Sequence, residues 1–280
     1  MNGQVPVLSI IFMSISCLTA FLLPFGLLLY FRIRKKADIM PFFIGCAVML
    51  LFAFILEQLA HSLILGSPAG GVIRGNIWLY AVYGGLMAGL FEETGRFLAF
   101  RTVLKRMLDR DQNALMYGAG HGGFEAIAVL GIPMINNIIY SVLLNTGRTG
   151  IITGALSGEA LERINAAFTT LVSTPSGLFL LGAAERIMAV ILQIAFSVLV
   201  WFSVKQKSRR YLYPAAIGLH FIVDAVTVLL SRNGISAAAV EGMVCILTAV
   251  CALLAWFVWN SCRKETAHVT DNEESTGGIA

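Results

Sequence analysis

Residues 177–204 read GLFLLGAAERIMAVILQIAFSVLVWFSV. The only charges in the stretch, Glu185 and Arg186, are neighbours. About 20 apolar residues carry a helix across a hydrocarbon core of about 30 Å, so this stretch reads as a membrane span. Six further apolar runs lie at roughly 6–31, 40–66, 77–100, 113–144, 211–231 and 236–260. The whole chain of 280 residues is 58% hydrophobic and 13% charged, with a mean hydropathy of +0.80. Soluble domains are about a quarter charged, so the composition argues against a soluble globular protein. Disorder needs low hydrophobicity and high net charge, and a membrane strand barrel needs short alternating segments. Neither pattern fits runs this long. The fold expected is all-α, a polytopic membrane helix bundle of about seven transmembrane spans. It forms one domain over 1–264, with a polar cytoplasmic tail at 265–280 expected to be disordered.

The basic residues sort by side. Arg32, Arg34, Lys35 and Lys36 follow the first run, Arg101, Lys105, Arg106 and Arg110 the third, and Lys205, Lys207, Arg209 and Arg210 the fifth. Arg263 and Lys264 close the seventh. The opposite loops hold Arg74, Arg148, Arg163 and Arg232. The positive-inside rule then puts the N-terminus outside and the C-terminus in the cytoplasm. A net charge of +4 reports topology here and points to no nucleic acid. The five cysteines form no C-x-x-C pair, so neither a disulfide framework nor a cysteine zinc site is expected. Gly131 and Pro133 are expected to break or kink the long fourth run. Ser157, Glu159 and Glu162 suggest a capped amphipathic helix in the 145–176 connection, lying on the surface or across the bundle mouth. No internal repeat of the kind found in secondary transporters is visible.

Charges inside a bilayer are costly and need a partner or a task. Seven acids fall within the runs: Glu57, Glu92, Glu93, Glu125, Glu185, Asp224 and Glu241. Arg96, Arg186, His61, His121 and His220 join them. Residues four apart share a helix face, which pairs Glu92 with Arg96, His121 with Glu125 and His220 with Asp224. All three faces fall at similar depth in the cytoplasmic half, so they can converge on one buried polar site. A glutamate in such a pocket suits general-base work. Two imidazoles and a carboxylate can bind zinc, or can hold a water and stabilise an oxyanion without metal. Asp224 or Glu125 can fix a histidine tautomer, and Arg96 can neutralise Glu93. The second group, Glu57, His61, Glu185, Arg186 and Glu241, falls in the outer half, where Arg186 is expected to pair with Glu57 or Glu241. Gly84-Gly85 and Gly118-x-Gly120 read as packing glycines, and Gly122-Gly123 as room for a substrate backbone beside His121.

Three motifs carry a resemblance: Glu92-Glu93-Thr94-Gly95-Arg96 (E-E-x-x-R), Tyr117-x-x-x-His121 continuing to Glu125, and His220-x-x-x-Asp224. In this order they resemble the superfamily of CAAX-processing, bacteriocin-processing and PrsW-like intramembrane proteases, and most closely its bacterial YhfC-like branch of membrane metalloproteases. The resemblance covers the third to sixth runs. It implies Glu92 as the general base, with Glu93 and Arg96 in support. His121 would position the water or bind a metal, and His220 and Asp224 would stabilise the oxyanion or complete a metal shell. The motifs also depart from the pattern. The common CAAX-protease form spaces its arginine one residue further on and often ends the third motif in asparagine, and PrsW-like proteins carry an acid in the second motif, which leaves both His121 and Glu125 as candidates. The reading is an intramembrane endopeptidase acting on a membrane-embedded or lipid-associated peptide among membrane lipids. One zinc would be held by His121, His220 and Glu92. A proton- or ion-coupled transporter built on the same Glu/His/Asp network is the alternative.

Overall fold

The computed structural model describes residues 3–277, with side chains to Arg263. The side chains of the whole tail at 265–280 therefore lie outside the described residues. The chain forms α1 (Val7–Arg34), α2 (Met40–Gly66), α3 (Pro68–Gly75), α4 (Ile77–Arg101), α5 (Gln112–Asn145), α6 (Gly158–Ser173), α7 (Ser176–Lys205), α8 (Leu212–Arg232) and α9 (Ala237–Gly277). No strand occurs among the described residues.

Six of these helices, α1, α2, α5, α7, α8 and α9, are long and apolar enough to cross a membrane. The expected seventh span is α4. Its 25 residues rise about 37 Å, but Glu92, Glu93, Arg96 and Arg101 lower its hydropathy. The opening stretch of the sequence turns out to be the hub. Buried residues make up 67% of the central window of α7, against 22–33% in the other five spans. It contacts α1, α4, α5, α8 and α9. A helix apolar on every side belongs at the centre of a bundle.

The core fills the end of α7 near Lys205. Trp201, Phe196, Phe202, Phe100 and Tyr117 are all fully buried there. The Phe100 ring meets Tyr117 edge-on at 4.6 Å and Trp201 at 5.0 Å. Trp201 Nε1 and Lys205 Nζ both donate to Asp111 Oδ1, at 3.1 and 2.6 Å, which locks α7 to the start of α5. Backbone contact joins α5 to α2: a Cβ on Gly120 would stand 1.9 Å from the Phe42 carbonyl oxygen. Only glycine allows that approach, the usual role of small residues between membrane helices.

Two local expectations change. The fourth run is not broken at Gly131. It passes through a π-helical turn, Ile127–Gly131, and Pro133 sits in the first turn of the α-helix that follows. A π-helical turn beside a proline is a common way for a long helix to change course without ending. A second π-helical segment, Leu50–Glu57, interrupts α2. The amphipathic helix α6 forms as expected, but the Ser157 side chain makes no capping bond. Phe168 and Leu171 bury its apolar face, with Tyr140 of α5 edge-on to Phe168 at 5.5 Å. It closes one end of α1, α5 and α7 and contributes nothing to the polar cavity described next.

Candidate active site

The polar residues of four helices meet in the middle of the bundle. On α4, Glu92 and Glu93 are 6% and 0% exposed, and Arg96 is fully buried. On α5, His121 is fully buried and stacks on Tyr117 at 5.7 Å. On α8, His220 lies flat against Phe196 of α7 at 4.9 Å. Helical geometry sets the pairings: Glu93 and Arg96, three residues apart on one helix, form an ion pair with no exposed surface.

Glu92 is the centre of the arrangement. Its Oε2 stands 3.1 Å from His121 Nε2 and accepts from Gln193 Nε2 at 2.8 Å. Its Oε1 faces His220 Nε2 at 4.0 Å. Glu93 Oε1 accepts from His220 Nδ1 at 2.8 Å, while its other oxygen pairs with Arg96. His220 Nε2 is also 3.5 Å from Asp224 Oδ2. All three motifs therefore reach one another, as their spacing predicts. A cavity of about 120 Å³ opens beside them, with Glu92, Glu125, His220, Asp224, Gln193 and Arg186 in its wall. A polar space of that size holds a few waters.

Comparison with known proteins places the chain as a whole. Residues 19–245 match the YhfC intramembrane metalloprotease family. The chain is 35% identical over 245 residues, 86% of its own length and 93% of the relative's, to "Uncharacterized membrane protein YhfC" of Bacillus subtilis (strain 168). The chain belongs to the YhfC intramembrane metalloprotease family. No solved structure matches it.

The family name implies a metal, and the donor set of this site can be tested for it. The donor types fit. Glu93 fixes the Nδ1–H of His220, which leaves the Nε2 lone pair directed at Glu92 and Asp224, the carboxylate–imidazole support that metal-binding histidines use. The spacing is looser than the chemistry: among the described residues, no three His, Cys, Asp or Glu side chains are gathered closely enough to hold an ion. His121 Nδ1 is buried with no partner, so His121 is anchored less firmly than His220.

Sequence reasoning missed one member, Gln193. It is 4% exposed and bridges two carboxylates of the cavity, donating from Nε2 to Glu92 and, at 3.0 Å, to Glu125 Oε2. Its Oε1 accepts from Arg96. The amide orientation follows from its neighbours, because the opposite one would set oxygen against two carboxylates and NH₂ against a guanidinium. A search confined to ionisable groups passes over glutamine. The available signal was a polar side chain in an apolar run, seven residues after Arg186 and so on the same face of α7.

The outer group does not hold together as expected. Arg186 pairs with neither Glu57 nor Glu241. It donates to Glu125 Oε1 at 2.7 Å and pairs with its neighbour Glu185, because the face of α7 that carries Gln193 also carries Arg186 towards α5. Both Glu185 and Arg186 thus belong to the central cavity. What remains apart is Glu57 with His61 at 3.2 Å, and His61 Nδ1 with Tyr83 Oη at 2.7 Å. The reading of Gly122-Gly123 as substrate space also fails. A Cβ on Gly122 would meet Gln193 Cβ at 2.9 Å, and one on Gly123 would meet Pro24 Cβ at 2.4 Å. Neighbouring helices already fill both positions.

Proposed function

We propose that this chain is an intramembrane endopeptidase in which Glu92 activates water against a peptide carbonyl. The observation that carries the reading is the asymmetry of the Glu92 carboxylate. One oxygen is held by Gln193 and His121, and the other opens towards His220 and the cavity. The held oxygen fixes the group. The open one accepts the proton of a cavity water as the water oxygen attacks the carbonyl carbon. His220, oriented by Glu93, offers Nε2 at the edge of the cavity, where a protonated ring would donate to the developing oxyanion. The proton taken by Glu92 then passes to the leaving amine. Arg96 pairs with Glu93 and aligns it, and Asp224 and Glu125 line the same wall.

A divalent metal of the kind the family name implies would be held by His121, His220 and Glu92 only with those side chains drawn closer together than they stand here, and it would then supply a more acidic water and a polarised carbonyl. The substrate is a peptide segment in or at the cytoplasmic half of the membrane, in a topology of seven spans with the N-terminus outside. The membrane is the plasma membrane of a bacterium, as the Bacillus relative suggests. The test compares protein termini in membranes of cells carrying the wild type or Glu92→Gln. New termini that appear only with the wild type support the reading, and identical termini overturn it.

A further inference from the structure

A second cavity, of about 380 Å³, lies where the ends of α4 and α7 meet the start of α8. Phe97 and Arg101 of α4, Arg210 and Tyr213 form most of its wall. It shares no residue with the polar cavity of the active site. Both arginines are exposed, and neither guanidinium has an acidic partner among the described residues. Two other basic groups at the same end of the bundle are neutralised instead. Arg110 pairs with Asp38 at 3.1 Å, and Lys205 pairs with Asp111 at 2.6 Å. Two uncompensated guanidiniums around one hollow repel each other until an anion sits between them.

The rest of the wall is aromatic and firmly built. Phe97 stacks on Tyr213 at 4.5 Å and 26°, and the Arg101 guanidinium lies 5.8 Å from the Phe97 ring centre. Tyr213 Oη is 2.9 Å from Thr94 Oγ1, the residue that follows the Glu92–Glu93 pair. Arginine forks match phosphate geometry, and basic pockets between helix ends on the cytoplasmic side take anionic lipid headgroups.

We propose that this cavity binds a phosphate-bearing anion, and that the headgroup of an anionic phospholipid supplies it. The lipid source follows from the place of the cavity, at the helix ends of a membrane bundle with an apolar wall beside the charges. A bound headgroup would press on Tyr213 and Phe97, and through Thr94 it would touch the helix that carries the catalytic pair. The inference rests on the membrane fold and not on the peptidase reading.

The test uses the full chain in uncharged detergent, stripped of lipid and then offered phosphatidylglycerol, phosphatidylcholine or inorganic phosphate. Retained lipid is read by native mass spectrometry, and protection by the thermal midpoint. Phosphatidylglycerol should bind in preference to phosphatidylcholine, with Arg101→Gln and Arg210→Gln each weakening it about fivefold. Arg163→Gln, on α6 and already paired with Glu159, should leave binding unchanged. Inorganic phosphate that binds through the same two arginines where phosphatidylglycerol does not would keep the phosphate site and overturn its lipid source. Equal retention by the wild type and the double arginine variant, or an equal loss in Arg163→Gln, would overturn the site itself.

Discussion

The cavity around Glu92 and the outer group of Glu57, His61 and Tyr83 are built from the same residue types, yet they differ in assembly. Around Glu92, side chains from α4, α5, α7 and α8 converge, and every acid of the E-E pair has partners from other helices. The Glu57–His61 contact spans four residues of one helix, and a single tyrosine from α4 completes it. The first arrangement surrounds a cavity, and Glu57 and His61 line none of those described. Helix periodicity alone produces an i, i+4 pair, whereas convergence of four helices on one carboxylate needs the whole bundle. The two groups thus differ in convergence around accessible space and not in buried charge.

The largest test of that contrast is Glu92→Gln. Loss of a general base should slow cleavage by about 10²–10⁴, while thermal unfolding in detergent and membrane insertion stay close to wild type. Cleavage at the wild-type rate would show that the convergence is structural. His220→Ala combined with His121→Ala comes next. Metal analysis of the purified protein should give one divalent ion per chain in the wild type and none in the pair, with activity lost alongside. Retention of the ion in the double variant would move the ligands elsewhere.

Gln193→Leu should act through Glu92 and Glu125, with a loss of about 10–100-fold, the scale of support around a reacting group. The fall should lie in kcat and leave KM nearly unchanged, and Gln193→Asn should not fully restore it. A change confined to KM would make Gln193 a substrate contact. Removal of Arg96 sharpens the same point on stability. Arg96→Leu strands Glu93 in a fully buried site and should cost about 3–5 kcal/mol, read as a lower denaturation midpoint. The smallest effect belongs to the outer group: Glu57→Gln should leave cleavage unchanged and lower stability by about 1 kcal/mol. A loss of activity equal to that of Gln193→Leu would abolish the distinction between the two regions.

Much of this was legible without coordinates. Long apolar runs leave a chain little choice but to form membrane helices, because backbone polar groups in lipid must be satisfied within the segment. The spacing of Glu92 with Arg96, His121 with Glu125 and His220 with Asp224 fixed their shared faces, since 3.6 residues per turn is a property of the backbone and independent of context. The run at 177–204 announced a buried helix by being apolar all round. Cost inside the bilayer picked out the ionisable residues, and all three motifs meet one another.

The rotation of one helix against another was not legible. Which partner Arg186 would take depended on the azimuth of α7, and side-chain packing sets that angle over the full length of the bundle. The same angle brought Gln193, neutral and unmarked, between two carboxylates, and placed Val190 and Gln193 against Gly122 where a substrate had been expected. Local spacing along a chain is short-range geometry, so sequence alone determined the helices and their polar faces. Partner choice between helices is a collective result of close packing, and only the tertiary structure decided it.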